Sequence, residues 1–109
     1  MVTDVREYID EAGRSPFGKW FDGLKGPAAA KVTTALERIT QGNFSNFGPA
    51  GAGVLEDKID WGPGYRIYFG RDGETLVILV GGGTKKRQSS DIKTAREHWA
   101  EYKKRKKQE

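Results

Sequence analysis

Six side chains in the second half of the chain have the chemistry needed to bind and cleave a phosphodiester: Lys58, Arg66, Tyr68, Lys85, Lys86 and Arg87. Clustered cations can bind a phosphate and stabilise the charge that builds up on a phosphorane-like transition state. RNA supplies its own nucleophile, the 2′-hydroxyl, so its cleavage requires a base, a stabilising cation and an acid, but no metal. A tyrosine can donate a hydrogen bond or stack on a base. These residue types favour RNA as the substrate class.

The same residues also have a structural interpretation. Exposed lysines and arginines on strands commonly deter edge-to-edge aggregation. On residue type alone this is the simpler interpretation for three of them: Lys58, Lys86 and Arg87. Arg66 could instead pair with Asp60, and Trp61 is expected to pack within a hairpin rather than to stack on a base.

Composition excludes several other kinds of site. The 109 residues suit one domain, and the net charge of +4 favours an anionic partner. The absence of cysteine excludes disulfides and thiolate metal sites, and the single histidine excludes a multi-histidine metal site. The glycine run 81–83 lacks the spacing of a P-loop. We therefore expect no cofactor and no metal.

Because no apolar run has the length of a signal peptide or a bilayer span, we expect a cytoplasmic protein without a membrane partner.

The first half of the chain predicts a strand and a helical hairpin. Residues 2–9 are typical of a strand. Ser15 and Pro16 predict a helix start, and apolar side chains follow at helical spacing. A second helix is expected from residue 26 to Gly42, and residues 43–53 should form a loop that holds at most a short extended piece.

Two alternating strands, 54–61 and 65–69, should carry the candidate site. A three-residue turn at 62–64 would pair Ile59 with Ile67. It would place four side chains on one sheet face, away from the helical hairpin: Lys58, Asp60, Arg66 and Tyr68.

The last third predicts a central strand and a closing helix. Residues 76–80 are apolar throughout, and glycines 81–83 should end this strand. If the turn at Asp72-Gly73 has two residues, Val77 and Leu79 lie beside the cations. Ser89 or Ser90 should cap the last helix, whose buried stripe is predicted to contain Ile92, Ala95, Trp99 and Tyr102.

The predicted order is therefore β-α-α-β-β-β-α. This is an α+β fold in a single domain, 1–109, built on a mainly antiparallel sheet. Residues 103–109 are expected to form a basic tail that frays.

Three motifs in this order resemble the RelE/ParE superfamily of bacterial toxins, and most closely its HigB-like branch of addiction-module killer proteins. They are Trp61-Gly-Pro-Gly-Tyr-Arg-Ile-Tyr-Phe69, Leu79-Val80-Gly-Gly-Gly, and Lys85-x-x-Gln88-x-x-Asp91-Ile92. The resemblance implies a RelE-like fold, with a helical hairpin packed on a mainly antiparallel sheet and a C-terminal helix. It also implies the toxin of a type II toxin–antitoxin system, which a cognate antitoxin neutralises.

The resemblance implies a metal-independent endonuclease that cleaves mRNA on the ribosome and so inhibits translation. Its partners would be the antitoxin, the ribosome and mRNA. Two alternatives stay open, namely a ParE-type inhibitor of DNA gyrase and a non-catalytic binding member of the superfamily, because function lives in the site and not in the fold.

Carried onto this chain, the family arginine is Arg66, which would stabilise the transition-state phosphate. The loop lysine is Lys85, which would bind phosphate or act as acid or base. Lys58 stands where this branch commonly has arginine, so the charge is kept but the planar fork is lost. Lys86 and Arg87 would contact the RNA backbone, and Tyr68 would orient or stack a base.

The resemblance assigns no role to His98 or Tyr102. The antitoxin is expected on an open sheet face that carries the cations with Val77 and Leu79.

Overall fold

The computed structural model describes residues 3–44 and 46–108. Its elements are β1 (Asp4–Glu7), α1 (Pro16–Asp22), α2 (Gly26–Thr40), β2 (Phe47–Gly51), β3 (Val54–Ile59), β4 (Tyr65–Asp72), β5 (Leu76–Thr84), a short 3₁₀ turn (Lys85–Arg87) and α3 (Gln88–Gln108). Val2, expected in the first strand, and Glu109, expected in the tail, lie outside the described residues. Within them, no helix is long and apolar enough to cross a bilayer.

The five strands form one mixed sheet in the order β1-β5-β4-β3-β2. β1 runs parallel to β5, and the other neighbours are antiparallel. The α+β class is therefore confirmed. The sheet has one more strand than the predicted order, because the expected loop contains β2 as a full edge strand.

The helical hairpin covers one face of the sheet. Ser15 caps α1 as predicted, since its hydroxyl accepts a 2.8 Å hydrogen bond from the Gly18 N–H. The apolar side chains of α1 and α2 pack with four buried residues of β4 and β5: Ile67, Phe69, Val77 and Leu79. The prediction that placed Val77 and Leu79 beside the cations was wrong. The turn after β4 has three residues, so Asp72 pairs with Leu76 and the alternation of β5 is reversed.

The other face lies under α3. Tyr68, Ile78 and Val80 pack there against Ala95 and Trp99. Both faces of β5 are consequently buried, as expected for a central strand. The open apolar face predicted for a partner is not present, because α3 occupies it.

Strand β5 continues through the glycines to Thr84, so the prediction that they end it was wrong. Between Tyr68 and Phe69 the register shifts by one residue, which leaves Val80 as the extra residue of a β-bulge. Beyond the bulge, the Trp20 ring packs on Gly82 and the Asp91 carboxylate packs on Gly83. A side chain at either glycine would overlap these groups.

The pairing of β3 with β4 differs from the predicted pairing by two residues. Lys58 pairs with Arg66 and Ile59 with Tyr65, which leaves 60–64 as a five-residue turn. Because side chains alternate with a period of two, a shift of two keeps every strand residue on its predicted face. Arg66 therefore lies away from the helical hairpin, as predicted, whereas Asp60 lies in the turn and outside the strand.

Helix α3 begins at Gln88, directly after the 3₁₀ turn. Ser89 and Ser90 therefore lie inside its first turn, and neither is the predicted cap. The buried stripe is confirmed, with Ala95 and Trp99 buried and two partly buried residues beside them, Ile92 and Tyr102. The helix extends to Gln108, so the tail expected to fray is helical over residues 103–108.

Candidate functional site

A buried carboxylate, Glu56, organises the end of the sheet where β3, β4 and α3 meet. Its Oε2 atom lies 3.5 Å from Arg66 Nε and accepts a 2.9 Å hydrogen bond from Gln88 Nε2. Its Oε1 atom lies 3.8 Å from Lys58 Nζ. The Glu56 and Arg66 side chains are only 6% and 8% exposed, whereas the Lys58 side chain is 60% exposed. Glu56 therefore links a buried arginine to a lysine at the surface.

Arg66 and Lys85 are joined through one backbone carbonyl. Gly64 O accepts a 3.2 Å hydrogen bond from Arg66 Nη1 and a 2.8 Å bond from the Lys85 N–H. Gly64 has a φ of +78°, a left-handed conformation that favours glycine. The side chain of Arg66 thus supports the loop from which the Lys85 chain emerges.

Tyr68 lies beneath this cluster and is fully buried. Burial raises the pKa of its hydroxyl, and the nearby negative charges of Glu56 and Asp91 raise it further. The hydroxyl therefore stays protonated, and no part of the ring is available for a base to stack on. The RNA-binding role expected for Tyr68 is not possible in this conformation, because α3 covers it.

The remaining candidate cations lie at the surface. Lys85, Lys86 and Arg87 form the exposed 3₁₀ turn between β5 and α3. Lys58 borders the Glu56 cluster from β3, beside Arg66. The fold thus brings Lys58, Arg66 and Lys85 to one end of the sheet, with Lys86 and Arg87 continuing from Lys85. Such a group can bind phosphate through its exposed members.

No model of a known protein family matches the chain. An uncharacterized protein of Haemophilus influenzae is 40% identical over 81 residues, which cover 73% of this chain and 82% of the relative. The chain belongs to the family of this H. influenzae protein. The relative's description assigns it no activity, so the function of this family member has to be argued from its site.

Two residues of the cluster in this family member, Glu56 and Gln88, were not singled out from sequence as members of the site. Glu56 shares one face of the predicted strand with Lys58 and Asp60, a pattern that also fits a solvated face. A usable signal was the opposite charge of Glu56 and Arg66, which the predicted sheet places on the same face. Asp91 also borders the cluster, and burial raises the pKa of its carboxyl although Arg87 opposes the shift.

His98 and Tyr102 are engaged elsewhere on α3. The His98 ring stacks on Tyr8, and its Nδ1 donates a 3.1 Å hydrogen bond to Val80 O. The Tyr102 hydroxyl donates a 2.7 Å bond to Asp72 Oδ2. At 1.5 Å of rise per residue, His98 lies about 15 Å along the helix from Gln88. Both side chains are structural in this member of the family.

Proposed function

We propose that this protein is the toxin of a type II toxin–antitoxin system, a HigB-like member of the RelE/ParE superfamily, and that it cleaves mRNA on the ribosome without a metal. The observation that carries the proposal is the exposure of Lys58 and Lys85 on either side of Arg66. The helical hairpin, the sheet and the C-terminal helix are what a RelE-like fold requires, and they support the same proposal.

In the proposed reaction, the exposed cations bind the RNA backbone and Lys85 lies nearest the scissile phosphate. The 2′-hydroxyl loses its proton to water and attacks the adjacent phosphorus. The O2′–P bond forms and the P–O5′ bond breaks, while the Lys85 ammonium donates a proton to O5′. Lys58 and Lys86 hold the flanking phosphates. Arg66 acts as a positioning residue, because it holds the Gly64 carbonyl that anchors the Lys85 backbone.

The proposed antitoxin would neutralise the protein by covering this basic end of the sheet. An acidic segment suits that surface, because opposite charges steer association and fix orientation. The antitoxin would therefore bind at the basic end of the sheet and not on the open apolar face expected from sequence, because α3 covers that face in the structure.

The test is to express the protein without antitoxin and map the ends of cellular mRNA. Wild type should cut translated messages in frame, and Lys58→Ala and Lys85→Ala should each weaken the cutting. Lys104→Ala is the matched control, since Lys104 is exposed at the far end of α3, about 24 Å along the axis from Gln88. Intact mRNA in cells whose growth is arrested by the wild type would contradict the nuclease.

A second candidate is favoured by the burial of Arg66. An arginine that is 8% exposed and paired with Glu56 cannot contact a substrate directly, which fits a ParE-type gyrase inhibitor or a non-catalytic binding protein. A supercoiling assay with purified gyrase distinguishes these outcomes. Blocked supercoiling with unchanged mRNA would support the inhibitor, and an effect on neither would support the binding protein.

A further inference from the structure

A cleft of about 510 Å³ lies between α2 and the outer part of the sheet. Six of the residues that line it carry charge or an aromatic ring: Lys31, Arg38, Asp57, Lys58, Asp60 and Trp61. Lys58 lies at the rim of this cleft, and its Nζ reaches Glu56 on the other face of the sheet. The cleft is therefore next to the basic end of the sheet but on the opposite face.

Trp61 is a large aromatic side chain that lines this otherwise mostly polar cleft. It lies in the β3–β4 turn and is 37% exposed. Tyr65 stacks with it at a centroid distance of 6.1 Å and an interplanar angle of 25°, and Lys31 Nζ lies 5.7 Å from a ring centroid. The neighbouring tyrosine fixes the orientation of the indole, and the exposed Lys31 side chain can move aside for a ligand.

Asp57 interrupts the apolar side of β3. It lies between Leu55 and Ile59 on the face that packs against the helical hairpin, yet it is a carboxylate that is only 9% exposed. Burial raises its pKa, and the charge of Arg38 acts in the opposite direction. A buried acid costs stability that an apolar residue would not. Arg38 offsets part of that cost, and because the carboxylate also lines the cleft, it can accept a hydrogen bond from a ligand there.

We propose that this cleft binds one nucleotide of single-stranded RNA, with its base against Trp61, its Watson–Crick edge toward Asp57, and its phosphate on Lys31 and Arg38, while Lys58 at the rim meets the next phosphate. The choice of RNA rests on the proposed function. Unstacked bases are recognised by aromatic side chains and by hydrogen bonds to their edges. A carboxylate accepts from exocyclic amino groups, so cytosine should bind more tightly than uracil. The bound strand would leave the cleft past Lys58 toward Lys85.

The test measures binding of purified protein to short fluorescein-labelled oligo(C) and oligo(U) RNA, without ribosomes. Trp61→Leu should weaken oligo(C) binding about 5- to 150-fold, the range that loss of one stacked base produces. Trp61→Phe should retain most of the affinity because it keeps an aromatic ring. Asp57→Asn should reduce the preference for oligo(C). The matched control is Ile9→Ala, which removes another exposed apolar side chain away from the cleft.

Equal binding of oligo(C) by wild type and Trp61→Leu would overturn the inference. Equal affinity for the two oligomers, together with full competition by the polyanion heparin, would also overturn it, because binding would then depend on charge alone. Circular dichroism confirms that each variant is folded. This test and the mRNA mapping fail independently. Binding that depends on Trp61 without cleavage in cells contradicts only the nuclease, whereas cleavage with binding that ignores Trp61 contradicts only the cleft.

Discussion

Arg66 and Glu56 face each other diagonally across β4 and β3, with Nε 3.5 Å from Oε2 and both side chains more than nine-tenths buried. Opposite charges in this position satisfy each other, and removal of one leaves the other buried without its partner. Arg66 is also the position to which the resemblance to RelE/ParE toxins assigns the conserved arginine, so its replacement would ordinarily be chosen to test catalysis. Loss of activity in an Arg66 variant is therefore ambiguous, and Lys58 and Lys85 are the better residues for that purpose.

Arg66→Ala should lower the free energy of unfolding by about 3 kcal/mol, because buried Glu56 would keep only the Gln88 hydrogen bond and the more distant, exposed Lys58 ammonium. The double variant Arg66→Met/Glu56→Gln should recover much of that loss, since it removes both charges and keeps similar volumes. Urea unfolding of Arg66→Met, Glu56→Gln, the double variant and the wild type measures the coupling. A double variant less stable than Arg66→Ala would contradict the pairing.

The glycine run allows a matched pair of substitutions. Gly82→Ala should destabilise the protein by about 1–3 kcal/mol, because the new methyl group would overlap the Trp20 ring. Gly81→Ala is the control, because among the described residues a Cβ at Gly81 meets no heavy atom within 4 Å beyond its chain neighbours. Thermal unfolding compares them. Equal melting temperatures would show that Trp20 moves without cost.

Asp72 should make stability depend on pH in the acid range. Hydrogen bonds from Lys106 and then Tyr102 hold the pKa of its carboxyl below the usual value. Its stabilising contribution is present above the unfolded-state pKa of about 3.9 and is lost as pH falls through the lower folded-state pKa. Asp72→Asn should therefore be less stable at neutral pH, by under about 1 kcal/mol because Lys106 is exposed and screened. Urea titrations should show this difference shrinking below about pH 4. A difference that persists in strong acid would assign it to packing.

The exposed cations should set the salt dependence of RNA binding. Each lysine that contacts a phosphate releases a counterion, so Lys86→Ala should reduce the slope of log affinity against log salt by about 0.7 on a single strand. Lys104→Ala should leave the slope unchanged. Fluorescence anisotropy over a range of potassium chloride concentrations measures both. Equal slopes in the Lys86 variant and the wild type would remove Lys86 from the binding surface.

Much of the fold could be predicted because local patterns carry it. Ser15 and Pro16 set the start of α1, and the apolar run 76–80 indicated a central strand. Alternation placed Arg66 on the correct face even though the turn length was wrong, since an error of two residues preserves side-chain direction. The register itself failed because Trp61, which continues the alternation, belongs to the turn.

The candidate site depended on contacts that no local pattern reveals. Glu56 is buried because Gln88, 32 residues later, closes over it at the start of α3. Tyr68 is likewise covered by α3, through Ala95 and Trp99. The bulge at Val80 determines that Gly82 faces Trp20 and Gly83 faces Asp91. From sequence, the glycine run 81–83 indicated the end of the strand instead. Such features follow from how α1 and α3 pack on the sheet, which is a tertiary interaction.

The parallel pairing of β1 with β5 affects how the chain is made. Asp4 pairs with Leu76, a separation of 76 − 4 = 72 residues. At roughly 5–20 residues per second of synthesis, Asp4 is added to the chain about 4–14 s before its partner Leu76. Until then the helical hairpin has no finished sheet to cover its apolar side. A nascent chain that stalls before Leu76 lacks β5, the 3₁₀ turn and α3, so the cluster around Glu56 can form only late in translation.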